Sequence, residues 1–112
     1  MKKLLFGLLL FSCTSPSLES TWSTSNFYNI SDRKMISSPL PFQTIHIQKD
    51  SVWVDGEGSG LITQQLSDGT HLIFAWKDTT RYFLVKTIES NLLILETNSF
   101  VNGNTHLLTL KR

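Results

Sequence analysis

Short turn signals recur through the C-terminal two thirds of this 112-residue chain, and they limit its fold more than any other feature. Asp50-Ser51, Asp68-Gly69, Ser90-Asn91 and Asn102-Gly103 each separate two short segments rich in β-branched, aliphatic and aromatic residues. Asp-Gly and Asn-Gly favour type I′ hairpins, because both loop residues of that turn take a positive φ. Strands joined by such tight turns pair only in the antiparallel sense. The chain is therefore predicted to be an all-β antiparallel meander.

The apolar residues alternate with the period of a strand and show no sustained helical period. We expect about six to eight strands that close into a small barrel or fold over as a sandwich, because the sheet must bury its apolar face. Pro39 and Pro41 interrupt the pattern and predict an extended link. The clearest predicted strands cover residues 42–49, 51–55, 61–66, 70–76, 81–89, 92–101 and 104–111, and residues 21–30 and 34–37 are candidates for further strands.

Two of the turns also predict a register. Closing a hairpin at Asn102-Gly103 places Leu95 opposite Leu110. Closing one at Asp68-Gly69 gathers large apolar side chains on one face, which we expect to be the core. That face holds Leu61, Leu72, Phe74 and Trp76.

The N-terminus is a separate segment with the order of a secretion signal. Lys2 and Lys3 precede an uncharged apolar run over residues 4–11, far shorter than the about 20 residues that span a bilayer. The tetrad Leu10-Phe11-Ser12-Cys13 resembles the lipobox of bacterial lipoproteins, in which a leucine stands three residues before the cysteine and a small residue directly before it. A plain secretion signal and an uncleaved anchor are the alternatives.

The lipobox resemblance implies a signal peptide over residues 1–12, a tether over 13–20 and a single β domain over 21–112. Cys13, the only cysteine, would carry acyl chains such as palmitate and hold the protein on a membrane of the bacterial cell envelope. Thr14 follows Cys13 where an Asp would retain some lipoproteins, so the outer membrane is expected in a Gram-negative host.

Two stretches of the domain resemble the small lipocalin-like domains found in bacterial lipoproteins. Residues 18–22 (LESTW) resemble the start of those domains, and residues 82–96 (YFLVKTIESNLLILE) resemble their final hairpin. The resemblance implies an eight-stranded barrel in which Trp22 plugs one end, sometimes with an apolar ligand cavity.

Two functions follow from such a barrel. The first is a module that binds a small apolar or amphipathic ligand, with Lys86 available for an anionic head group. The second is a protein-interaction module, such as an envelope scaffold or an inhibitor of a secreted enzyme. A filled core with an apolar surface patch would favour the second. A cavity would favour the first, and its expected lining is Phe74, Trp76, Leu84, Lys86 and Leu95.

No constellation of residues predicts catalysis, a metal site or a cofactor. His46, His71 and His106 fall on separate predicted strands without ligand spacing. The run 55–60 (DGEGSG) opens like a calcium loop, but Leu66 stands where the bidentate glutamate is needed, so a turn or weak cation binding remains open. We therefore expect a protein that is not an enzyme.

Charge argues against nucleic acid as a partner, and the tryptophans raise the question of a sugar or lipid partner. Without Lys2 and Lys3, eight basic side chains stand against nine acidic ones, which gives no footprint for nucleic acid. Trp22, Trp53 and Trp76 are candidates either for core anchors or for a stacking face toward sugar or lipid. Trp53 is the best candidate for exposure, because its neighbours Val52 and Val54 take the opposite face.

Overall fold

The computed structural model describes residues 17–31, 34–98 and 105–112. Within these ranges the chain forms nine β-strands and no helix. All paired strands are antiparallel, which confirms the predicted fold class. The strands are β1 Ser20–Ser31, β2 Lys34–Ser37, β3 Thr44–Ile47, β4 Ser51–Val54, β5 Glu57–Leu66, β6 Gly69–Trp76, β7 Thr79–Ile88, β8 Leu92–Thr97 and β9 Thr105–Lys111.

Eight of these strands close into a barrel because β1 pairs with both ends of the remaining sheet. Residues 20–23 of β1 pair with β3, and residues 23–30 pair with β9. The extra strand, β2, pairs with residues 28–31 of β1 on the same side as β3. Pro39 and Pro41 lie in the link between β2 and β3, where no ladder hydrogen bond is required of them. The chain thus adopts the barrel, lipocalin-like in architecture, and not the sandwich.

Two-residue loops join several consecutive strands. Asp55-Gly56 has φ values of 49° and 89°, and Lys77-Asp78 has values of 53° and 59°. Both loops are therefore left-handed at both positions, as a type I′ hairpin requires. The predicted Ser90-Asn91 turn is confirmed, since Glu89 and Leu92 exchange backbone hydrogen bonds around it.

The hairpin between β5 and β6 closes one residue earlier than predicted. Leu66 pairs with Gly69, so the loop is Ser67-Asp68 and the positive φ of 134° belongs to Gly69. This moves the register by two residues and sets Leu61 opposite Phe74. Because side chains alternate between faces with a period of two, every side chain keeps its predicted face.

The register between β8 and β9 also differs from prediction by two residues. Leu95 pairs with Leu108, while Leu110 pairs with Leu93. All four leucines are buried, so the face is again the predicted one. The predicted Asn102-Gly103 turn lies outside the described residues.

Packed side chains fill the interior of the barrel. Phe74 stacks on Phe83 with 5.4 Å between ring centroids, and Trp76 meets Phe42 edge to face at 5.6 Å. The aromatic face of the β5–β6 hairpin is therefore in the core, as predicted. The buried apolar side chains are Trp22, Phe27, Phe42, Ile45, Ile47, Val52, Val54, Leu61, Leu72, Phe74, Trp76, Phe83, Leu93, Leu95, Leu108 and Leu110.

Candidate interaction site

The five residues expected to line a ligand cavity do not share one space. Phe74, Trp76 and Leu95 are buried within the packed core. Leu84 is half-buried and pairs with Glu96 on the neighbouring strand. Lys86 is exposed, stands at an irregularity of β7, and its Nζ lies 3.5 Å from Oε1 of Glu96. Lys86 therefore lies on the outer surface of the barrel and does not face its interior.

One end of the barrel carries the start of β1 together with the turns 48–50, 67–68 and 89–91, and we call it the N-terminal end. Trp22 is fully buried there, and its Nε1 donates a hydrogen bond to the carbonyl of Leu18 at 3.0 Å. The guanidinium of Arg112 lies 4.2 Å from the centroid of the Trp22 ring and donates to the carbonyl of Ser17 at 2.7 Å. These contacts close part of this end. Cys13 and the tetrad that resembles a lipobox lie outside the described residues.

Beside Trp22, the N-terminal end holds a recess of about 380 Å³, which we call the end recess. Its apolar lining comes from core residues that reach the end of the barrel, and its polar lining comes from the β3–β4 turn and β5. It is open to solvent. Its lining residues are Leu18, Glu19, Ile47, Gln48, Lys49, Asp50, Leu61, Thr63 and Leu72.

The second half of β5 forms one border of this recess and has a strand on only one side. β4 pairs with residues 57–60 of β5, and its first residue, Ser51, is the partner of Gly60. Beyond that point the Leu61 N–H donates to the carbonyl of Asp50 at 3.0 Å. Residues 62–66 pair with β6 alone, and no strand of the described residues lies along their other side. We call residues 62–66 the open edge.

The open edge lacks the features that usually protect a strand from unwanted pairing. Natural edge strands carry lysine, proline or a bulge. The sequence of the open edge is ITQQL, and its pairing with β6 is continuous. On its outer face Ile62 is 59% exposed and Leu66 is 54% exposed. Ile62 lies next to Ile73, which lies next to the exposed Tyr82, so the apolar surface continues onto β6 and β7.

The hairpin tip beside the open edge carries a hydrogen-bonded pair, Asp68 and His71. Nε2 of His71 lies 2.7 Å from Oδ1 of Asp68. This hydrogen bond, together with the charge of the imidazolium, holds the pKa of Asp68 below its usual range. Both groups lie at the surface beside the turn, so the ladder of β5 and β6 does not depend on them.

The remaining candidate residues have structural partners. Oδ1 of Asp55 accepts the backbone N–H groups of Gln43 and Thr44 at 2.9 Å each, so Asp55 closes a hairpin and braces β3. Among the described residues, no three His, Cys, Asp or Glu side chains form a group able to hold a metal ion. His46 packs against the Trp53 ring, and His106 is buried in a stack on Phe27.

Sequence reasoning missed the open edge, although strand lengths carried a signal for it. A strand of four or five residues, predicted at 51–55, cannot cover a following strand that is ten residues long in the structure. The glycines of residues 56–60 concealed that length, because glycine is depleted in strands and such a run is typical of a loop or of a bulged strand start.

Comparisons with protein-family models, with curated proteins and with solved structures give no match to this chain. Within the described residues, no helix is long and apolar enough to cross a membrane.

Proposed function

We propose that this protein is a lipid-anchored component of a bacterial cell envelope that acts as a protein-interaction module and catalyses no reaction. Its interaction site is the open edge, to which an extended segment of a partner adds as a further strand. The single observation that carries this proposal is the uncharged, unbulged open edge, whose outward backbone groups have no partner strand among the described residues and whose apolar side chains are exposed. The lipobox-like tetrad ending at Cys13 supports the anchor.

Strand addition divides affinity and specificity between two parts of the edge. The backbone N–H and C=O groups of Thr63 and Gln65 face away from β6, because they alternate with residues that pair with it. They would supply hydrogen bonds to any extended chain. Ile62 and Leu66 would select apolar side chains on the outer face, and the end recess would receive a side chain on the inner face.

The packing of the barrel favours this function over binding of a ligand inside it. Phe74, Trp76 and Leu95, which a central cavity would need along its wall, are at most 7% exposed and pack against other core side chains. These packed side chains therefore occupy the place at the barrel centre that a small amphipathic molecule would need. The end recess is the site for a second candidate function, binding of a small amphipathic ligand, which its apolar floor and polar rim favour.

Site-specific photo-crosslinking tests the interaction site. A benzophenone amino acid replaces Gln65 at the open edge, and in a matched control it replaces Thr80, an exposed residue of β7 away from that edge. Full-length protein is irradiated in native envelopes. We expect a protein adduct from position 65 and at least tenfold less from position 80. Absence of any protein adduct from position 65, or equal yields at both positions, would refute the module.

Intact-mass measurement of the same purified protein tests the anchor separately. We expect the mature chain to begin at Cys13 and to carry the added mass of acyl chains. A mature species that retains residues 1–12, or that carries an unmodified Cys13, would refute the lipid anchor without bearing on the open edge. The lipid anchor and the interaction site are therefore tested independently of each other.

A further inference from the structure

We infer that the strand that adds to the open edge is the open edge of a second copy of this chain, so that the protein forms a symmetric dimer. This inference rests on the proposed function, because it names the partner of the same site. The two edges pair antiparallel about a two-fold axis that passes between the Gln64 residues of the two copies. Each copy therefore offers the other the same surface, as an isologous interface requires.

The backbone of β5 fixes which residues exchange hydrogen bonds. The Leu61 N–H points away from β6, toward Asp50. Backbone groups alternate along a strand, so those of Thr63 and Gln65 point the same way. Pairing Thr63 with Gln65 of the second copy engages all of these groups in four hydrogen bonds. Pairing Thr63 with itself would set Gln65 opposite Leu61 of the other copy, whose N–H already bonds to Asp50, so the first register is preferred.

The same register brings the exposed apolar side chains together. Residue numbers of opposed positions add to a constant in an antiparallel pair, so Ile62 of each copy lies opposite Leu66 of the other. These are non-hydrogen-bonded positions, where opposed side chains are closest. Ile62 and Leu66 are both more than half exposed in the single chain, and each gains an apolar neighbour. Gln64 of one chain faces Gln64 of the other. The two side-chain amides can hydrogen-bond to each other, because each both donates and accepts.

The lack of charge on the open edge also suits a second copy. Residues 62–66 contain no charged side chain, so no like charges meet at the axis. Beyond Leu66, the turn that carries Asp68 reaches the place where Asp50 bonds to Leu61 in the other copy. Lys49 and Asp50 both belong to that turn, so Asp68 meets one opposite and one like charge there. The turns therefore do not decide the pairing, and the uncharged edge is what permits it.

The size of the interface indicates how tightly the dimer forms. A paired segment of five residues covers far less than the about 1,600 Å² of a standard stable interface. We therefore expect a weak dimer whose population depends on concentration. Confinement of both copies to one membrane raises their effective concentration and favours pairing.

Disulfide trapping in full-length protein tests the register. In the Gln64→Cys variant the two new thiols face each other across the axis, and mild oxidation of native membranes should give a disulfide-linked dimer as the main species. Ile62→Cys and Leu66→Cys each place their own thiols far apart, so each variant alone should give at least fivefold less dimer. Co-expression of these two variants should restore the crosslink. The unchanged chain reports any background from Cys13.

Two results of the disulfide trapping would overturn the dimer. One is a Gln64→Cys protein that is folded by circular dichroism but stays monomeric on oxidation. The other is equal crosslinking of Gln64→Cys and Ile62→Cys, which would indicate random collision. Native mass spectrometry of the unchanged chain in detergent does not depend on the folding of the cysteine variants. The dimer fraction should rise with protein concentration, and Gln64→Lys should lower it at least fivefold. Thr80→Lys is the control of equal charge. An unchanged chain that stays monomeric throughout that titration also overturns the dimer.

Failure of the dimer and failure of the module are distinguishable. If position 65 crosslinks to a different protein and Gln64→Cys gives no dimer, the open edge is an interaction site and the second copy is not its occupant. If neither experiment gives a protein adduct, both proposals fail.

Discussion

Two glycines on the outer face of β5 should respond in opposite ways to the same substitution. A Cβ built at Gly58 lies 2.7 Å from Nε1 and 3.0 Å from Cδ1 of Trp53, whereas one built at Gly60 meets nothing within 4 Å. Neither glycine has a positive φ, so alanine suits both backbones. The difference between the sites is the indole ring of Trp53, which lies over the backbone of Gly58.

The expected magnitudes follow from that geometry. Replacing a strand glycine with alanine stabilises by about 0.5–1 kcal/mol, because the unfolded chain loses freedom. Gly60→Ala should show this gain alone. In Gly58→Ala the ring of Trp53, now 36% exposed, must swing off the sheet. Exposure of on the order of 80 Å² of apolar surface costs about 2 kcal/mol. The net change is then a loss of about 1–1.5 kcal/mol.

Urea unfolding of the two variants, followed by circular dichroism, measures the difference. Tryptophan fluorescence adds an independent readout, because Trp22 and Trp76 are buried and a red shift in Gly58→Ala would come from Trp53. In a Trp53→Ala background the two glycine variants should agree within about 0.5 kcal/mol. Equal stabilities of Gly58→Ala and Gly60→Ala in the unchanged background would refute the reasoning.

Three further predictions concern single contacts. Arg112→Ala should lower the free energy of unfolding by about 1–2 kcal/mol, because the guanidinium covers Trp22 and donates hydrogen bonds at the N-terminal end; an unchanged thermal midpoint would contradict this. The buried hydroxyl of Thr24 has no hydrogen-bond partner among the described residues, so Thr24→Val should be neutral or stabilise by up to about 1 kcal/mol in urea unfolding, and a clear loss would indicate a partner. His71→Ala should raise the pKa of Asp68 toward its usual range in an NMR titration. Since the pKa of Asp68 is lowered in the folded state, its contribution to stability is present above the pKa of the unfolded state and is lost as pH falls through the pKa of the folded state. If His71→Ala leaves the pKa of Asp68 unchanged, the role of His71 is refuted.

Much of the interior could be read from the chain, because a strand has a side-chain period of two. Leu61, Leu72, Phe74 and Trp76 were assigned to one buried face, and they remain there although the hairpin closes one residue early. A register error of two residues leaves faces unchanged, so burial is predicted more safely than pairing.

The candidate site was not predicted, because it depends on relations between strands. Lys86 follows Val85 on an apolar strand, and alternation alone did not decide whether it lines the interior. Its exposure is decided by the irregularity in β7 and by the approach of Glu96 from β8. These depend on how two strands align, which a local sequence pattern does not specify.

The sequence by itself determined the fold class and the buried faces, and it is the source of the proposed leader before Cys13. These depend on local properties, namely turn chemistry, side-chain period and the length of an apolar run. Only the tertiary structure decided that the sheet closes on β1 and that residues 62–66 have no second neighbouring strand among the described residues. Barrel closure is a constraint on all strands together, so the open edge follows from the unequal lengths of β4 and β5 once both are in place.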